Sequence, residues 1–273
     1  MNSPSDLLSQ MNLRSPKWAR NPIIAGYRGS HAHGTYIPPE DEHGTDDIDT
    51  FGVVVHPRSH YLGLDGYRQC HATFNSNMED LDIETHEIQK YVFLLAKGNP
   101  NVHQHLWLEP GDYFVITRPA RILLTRRRDF LSQRMFQSFA GYAYAQLHRM
   151  TKFEKRGYMG TKREGIVKKH GYDIKNAAHC IRLLYCGIHL AEYGEVIVRL
   201  PSDPHNNILE MVLGIKRGLW KLEQVQSQAK RMMNTFDTKR EANKHNLPER
   251  LEFANINKIL QDVIETQWEE IDQ

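Results

Sequence analysis

Cysteine is scarce: the chain holds only Cys70, Cys180 and Cys186. They form no CxxC pair and no even set, which excludes a disulfide framework and a cysteine-built structural zinc site and leaves reduced thiols. Long apolar runs are also missing. The longest, Tyr91–Ala96, falls far short of the roughly 20 residues of a membrane-crossing helix. The opening MNSPSDLLSQMN lacks the basic start and apolar stretch of a secretory signal, so the expected compartment is the cytoplasm, with no membrane partner. No Gly-Lys-Ser/Thr follows the glycine-serine pair at 29–30, which excludes a P-loop. No internal repeat or low-complexity tract is visible, nor any motif that would read a base.

What is present suits a folded protein. At 273 residues, with 40% hydrophobic and 25% charged residues, the chain can bury a substantial core. Two lobes are expected. Residues 1–117 carry 8 Lys and Arg against 15 Asp and Glu, residues 118–182 carry 16 against 4, and residues 183–273 carry 11 against 14. A middle segment this basic, beside an acidic one, suits a polyanionic partner such as a nucleotide or nucleic acid.

The first part alternates between strand and loop. IIAGY (23–27) and IDTFGVVVH (48–56) read as buried strands, with a loop rich in proline and acid at YIPPEDEHG between them. EDLDIETHE reads as a third strand with Asp80, Asp82 and Glu84 on one face, followed by a helix over 86–98 that stops at Gly98. From about residue 120 helices dominate, including Met135–Arg149 and one from Asp173 to Ala191, with Asp173 as its N-cap. On this last helix Ala177, Ile181, Leu184, Ile188 and Ala191 share one stripe, and Lys175, His179 and Arg182 share the opposite side. The expected architecture is therefore α+β: an α/β domain with a small mixed sheet over 1–117, then a basic helical domain over 118–273.

The chemistry points to one short region. Asp47 and Asp49, two apart on a strand, project from the same side, and carboxylates so close repel unless a cation lies between them. A hard divalent ion shared with phosphate oxygens resolves this, with Asp82 of the neighbouring strand as the preferred third carboxylate and Glu84 or Asp80 as alternatives. Ahead of them, Gly29 lets backbone approach a phosphate and Ser30 offers a hydroxyl and an amide. In the basic segment, Lys168, Lys169, His170, Lys175, His179 and Arg182 are candidate phosphate partners, and Tyr172 is a candidate to stack on a base. The pairs His31/His33 and His103/His105 have the HxH spacing of metal ligands and keep open a metal phosphohydrolase; their plainer reading is polar loop and surface histidine.

These residues resemble a known group. GS followed by DID and VVV is similar to the nucleotidyltransferase fold of the DNA polymerase beta superfamily. The segments GSHAHGT, DDIDTFGVVVHP with YLGL, KYVFLLAKGNPNV, GYAYAQL and KKHGYDIKNAAHCIRLL extend the resemblance to its predicted branch associated with RNA repair, over roughly residues 23–225. The loop between Ser30 and Asp47 is longer than is typical of the superfamily. The resemblance implies catalytic metal ligands at Asp47, Asp49 and Asp82, with Mg²⁺ or Mn²⁺ as cofactor. It also implies an NTP substrate held by Gly29, Ser30, Lys169, His170, Tyr172, Lys175, His179 and Arg182. The implied activity is transfer of a nucleoside monophosphate to an acceptor hydroxyl, an RNA end above all, with release of pyrophosphate. A catalytically vestigial RNA-binding protein, or a transferase acting on a protein or small molecule, are the other readings.

Overall fold

The computed structural model describes residues 3–44, 47–63, 73–77, 81–151, 161–203 and 207–272, with no side-chain description for 77 and 161–163. Asp80, one of the alternative ligands, lies outside the described residues, as does Cys70. In chain order the elements are α1 (Pro4–Arg14), β1 (Ile24–Arg28), α2 (Gly29–His33), β2 (Ile48–Val54), α3 (Arg58–Leu62), β3 (Thr73–Asn77), β4 (Leu81–Glu87), α4 (Ile88–Ala96), α5 (Pro100–His105) and β5 (Tyr113–Ile116). Then follow α6 (Arg118–Thr125), α7 (Arg134–Arg149), α8 (Thr161–His170), α9 (Ile174–Tyr193), α10 (Ile208–Lys216), α11 (Leu222–Asn243) and α12 (Phe253–Ile271). The fold is α+β, as expected, and among the described residues no helix is long and apolar enough to cross a membrane.

The chain forms two compact units. The first comprises 1–40, 44–132 and 250–273, and the second 41–43 and 133–249. This corrects the expected boundary at 117. Amphipathic α6 buries Ala120 and Leu123, and α12 buries Ile256, Ile259 and Val263, in the core that also holds Ile24, Phe51, Val53, Tyr91 and Leu95 of the sheet and α4. A helical pattern states that a face must be buried, but not against which element.

In the first unit the strand order is β3-β4-β2-β1-β5. β2 and β4 run parallel, while β1 is antiparallel to both β2 and β5 and β3 is antiparallel to β4. Side chains alternate across the sheet. Ala25, Leu81 and Ile83 join Leu7 and Met11 of α1 in a small core. The opposite face is covered through Ile24, Phe51 and Val53, but not at the N-terminal ends of β2 and β4, where Asp49 and Asp82 are half-buried. Parallel strands β2 and β4 therefore start together at one polar edge and run together into the core. Antiparallel β1 arrives at that same edge and turns directly into α2.

In the second unit α7, α10 and α11 pack on α9, which is capped by Asp173 accepting from the Asn176 amide at 3.0 Å. Its expected apolar stripe is buried at Ala177, Ile181, Leu184 and Ala191. On the opposite, basic side Arg182 is only 3% exposed, because helices pack on more than one side of α9.

Candidate active site

The register of the sheet places one residue from each of three strands in a single row: Arg28 of β1, Asp49 of β2 and Asp82 of β4. Paired residues on neighbouring strands lie about 5 Å apart and point to the same side. Asp49 and Asp82 are thus side by side by virtue of strand pairing alone. The next row inward holds Gly26, Phe51, Glu84 and Asn75, and the third Ile24, Val53, His86 and Thr73. Arg28, Asp49, Asp82 and Glu84, with Asn75 and Ser76, line an open cleft of about 220 Å³.

Glu84 is tied down. It pairs with Arg28 on one side and with His86 Nε2 at 3.2 Å on the other, and His86 Nδ1 in turn meets the Thr73 hydroxyl at 3.0 Å. His86 is 4% exposed, and its burial, with Lys90 and Arg28 nearby, drives its pKa down to about 4, so the ring is neutral. Glu84 therefore anchors Arg28, while Asp82 shares the row of Asp49. Burial draws the Arg28 guanidinium below its ordinary pKa, and the charges of Asp49 and Asp82 push the other way. Arg28, which sequence reading passed over, lines the same cleft as the acids. The available signal was its position two residues beyond Gly26 on the strand, which by alternation sets it on the face of the acids.

The glycine-serine pair begins α2 at the end of β1. Gly29 has φ +62°, and a Cβ there would run into the Asp49 carboxylate. The glycine thus serves two needs, a left-handed backbone and room for the acid beside it. Ser30 is half-buried in the first turn, and its carbonyl accepts from the Thr35 amide at 2.9 Å. Asp47 stands one residue ahead of β2 and is half-buried. Among the described residues, no three His, Cys, Asp or Glu side chains converge to hold a metal by themselves.

The second unit brings together only part of its expected set. Lys168 is exposed and bridges to Glu164 at 3.0 Å, and Lys169 is exposed. His170 is half-buried with its ring against Gly218, which has no Cβ to obstruct it. Burial, then Lys169 and His43, lower its pKa. Lys175 and His179 are half-buried, and His179 contacts Arg182 at 3.3 Å. Tyr172 is a correction: it is 2% exposed and its hydroxyl donates to the Trp220 carbonyl at 2.7 Å. It is a core tyrosine with its polar end occupied, and no face of its ring is open for a base.

The HxH pairs do not form metal sites either. His31 lies against the rings of Tyr27 and Tyr36, with centroids 4.9 and 3.7 Å away, and His33 Nε2 meets Gln104 Oε1 at 3.1 Å. His103 donates to the Leu95 carbonyl at 2.8 Å, and His105 Nδ1 meets the Tyr91 hydroxyl at 3.2 Å. All but His31 are buried, and their role is packing.

A strand that ends in a glycine-serine turn, lying beside carboxylates on the next two strands, is the arrangement expected of a nucleotidyltransferase. Comparison with known proteins gives the same answer. No curated protein and no solved structure matches the chain, but the model of one family does, over residues 17–273. The protein belongs to the RNA repair pathway DNA polymerase beta family, and its class of activity is nucleotidyl transfer.

Proposed function

We propose that the protein transfers a nucleoside monophosphate from an NTP to an acceptor hydroxyl at an RNA end, releasing pyrophosphate, at the edge formed by Gly29, Asp49 and Asp82. The observation that carries this reading is the row itself. Asp49 is opposite Asp82 in register and its carboxylate lies against the bare Cα of Gly29, so a phosphate held at the turn meets the acids directly.

The donor set fits Mg²⁺ or Mn²⁺. Asp49 and Asp82, with Asp47 beside them, offer oxygen alone, and a hard ion that keeps substrate phosphates and water among its ligands needs only one or two carboxylates. When bound, the metal would neutralise charge on the phosphates and on the hydroxyl that attacks. The chain's own residues supply position. Glu84 holds Arg28 beside the acids, the Gly29–Ser30 turn orients the polyphosphate, and the low-lying His86 fixes Glu84 without carrying charge. Lys169, His170, Lys175 and His179 of the second unit are candidate contacts for RNA phosphates, and binding through them would weaken with salt. An RNA acceptor is favoured by the family and by the basic middle segment.

The test is to incubate the protein with each α-labelled NTP, Mg²⁺ and a mixed pool of small RNAs, beside an Asp47→Asn/Asp49→Asn variant. Label entering RNA with the wild type alone is the expected result and names the nucleotide. Label entering protein moves the acceptor to a side chain. RNA binding with no transfer by either form overturns the reading in favour of a binding protein without catalysis.

A further inference from the structure

β3 carries neither the phosphate turn nor an acid of the row, yet it forms one wall of the cleft: Asn75 and Ser76 line it together with Arg28, Asp49, Asp82 and Glu84. Asn75 pairs with Glu84, which lies two residues past Asp82 on β4, so its side chain stands on the face of the acids. It is exposed, and its amide can donate and accept at once. The strand beneath it is anchored. Phe74 alternates to the other face and packs with Leu7, Met11 and Ile83, and the Thr73 hydroxyl meets His86 Nδ1 at 3.0 Å.

The order of strands gives the cleft a direction. From one flank to the other come β1 with its glycine-serine turn, β2 with Asp49, β4 with Asp82, and β3 with Asn75. At about 4.8 Å per strand, β1 and β3 are roughly 14 Å apart, room for a phosphoryl group with a sugar beyond it. Phosphoryl transfer runs in line: the acceptor oxygen bonds to the α-phosphorus on the side opposite the bridging oxygen, whose bond breaks and whose electron pair leaves with pyrophosphate. The hydroxyl proton passes to solvent in the open cleft. With the polyphosphate held at Gly29 and Ser30, the leaving group lies on the β1 flank of the acids. The attacking hydroxyl then enters from the flank of β4 and β3.

We infer that β3 is the acceptor side of the cleft, and that Asn75 hydrogen-bonds the 2′-hydroxyl of the 3′-terminal ribose of an RNA while the neighbouring 3′-hydroxyl attacks. An RNA 3′ end presents two hydroxyls on adjacent carbons, so one can be held while the other reacts. The 2′-hydroxyl donates and accepts, as the amide does, and is the group by which a site tells RNA from DNA. The direction of attack rests on the nucleotidyl-transfer reading.

The test uses the full chain with Mg²⁺, a mixture of the four α-labelled NTPs, and two oligoribonucleotides that differ only in a ribose or a 2′-deoxyribose at the 3′-terminal nucleotide. KM and kcat for each acceptor, KM for the NTPs, and affinity for each RNA without NTP by fluorescence anisotropy are compared for the wild type, Asn75→Ala and Asn75→Ser. An exposed residue on an outer strand tolerates such changes, so all three should unfold at the same temperature. The wild type should favour the ribose end by about 3- to 10-fold in affinity and in KM, the worth of one hydrogen bond. Asn75→Ala should treat the two ends alike with KM for the NTPs unchanged, and Asn75→Ser, which keeps a short donor and acceptor, should fall between. Wild-type affinities for the two ends within about twofold of each other, a preference that survives in Asn75→Ala, or a rise in KM for the NTPs as large as that for RNA overturns the inference. Transfer to RNA without any preference for the ribose end leaves the transfer reading standing and removes the acceptor contact. Asn75-dependent binding of the ribose end by a protein that transfers no nucleotide would sink the transfer reading and leave the RNA contact in place.

Discussion

Replacing Gly29 with alanine tests the contact between the turn and the acid, because its effect has two separable parts. The first is backbone: at φ +62° an alanine costs about 1–2 kcal/mol relative to glycine. The second is steric. The new Cβ runs into the Asp49 carboxylate, which must rotate off its preferred angle at about 0.5–1.5 kcal/mol. Gly29→Ala alone should therefore lose about 2–3 kcal/mol of stability. In an Asp49→Ala background only the backbone part should remain, giving a coupling of about 1 kcal/mol. Urea unfolding of the four proteins in this cycle measures it. A re-aimed Asp49 should also slow transfer by about 100-fold or more, since misplacement on the order of 1 Å does so elsewhere. Additive stability effects, with a coupling indistinguishable from zero, would refute the claim that Gly29 is glycine because Asp49 lies against it.

Other consequences can be checked independently. Glu84→Gln should leave Mn²⁺ binding, followed by paramagnetic resonance, close to wild type, whereas Asp82→Asn should weaken it about tenfold or more; the reverse order would exchange their roles. Tyr172→Phe should lose about 1 kcal/mol of stability with its hydrogen bond to Trp220 and leave the KM for NTP unchanged. His56, His103 and His105 are buried, and burial lowers their pKa values from 6.5 to about 4, 4 and 3. Each takes up its proton more readily unfolded than folded. Their contribution is full above pH 6.5 and is lost as pH falls toward 4, with a slope of about 1.4 kcal/mol per pH unit for each group. Chemical unfolding at a series of pH values should show this decline, and a stability constant from pH 6.5 to 4 would contradict it.

Much of the site was legible because it rests on local pattern. Buried apolar runs gave β1 and β2, alternation gave β4, and the glycine-serine pair and the two acids were placed at the strand ends where the structure has them. What escaped depends on pairing across the chain. β3 and β5 are short and, at TFNSN and YFVI, lack a pattern that distinguishes them from loop. Asp82 and Glu84 lie on one face, and only strand pairing shows that Asp82 is the one opposite Asp49. Tyr172 and Arg182 read as nucleotide contacts because they lie in a basic, polar segment, yet both are buried. Their burial follows from helices that pack around α9, which periodicity within α9 alone does not reveal. The return of α12 to the first unit is likewise a long-range event.

The most direct test of nucleotidyl transfer is which bond of the NTP breaks. The protein is given the same nucleotide labelled at the α-phosphate or at the γ-phosphate, with Mg²⁺ and RNA, and the products are separated. The account predicts that α-label enters the acceptor while γ-label leaves only as pyrophosphate, and that Asp49→Asn abolishes both. Release of γ-label as single phosphate, or its transfer to RNA, would contradict it.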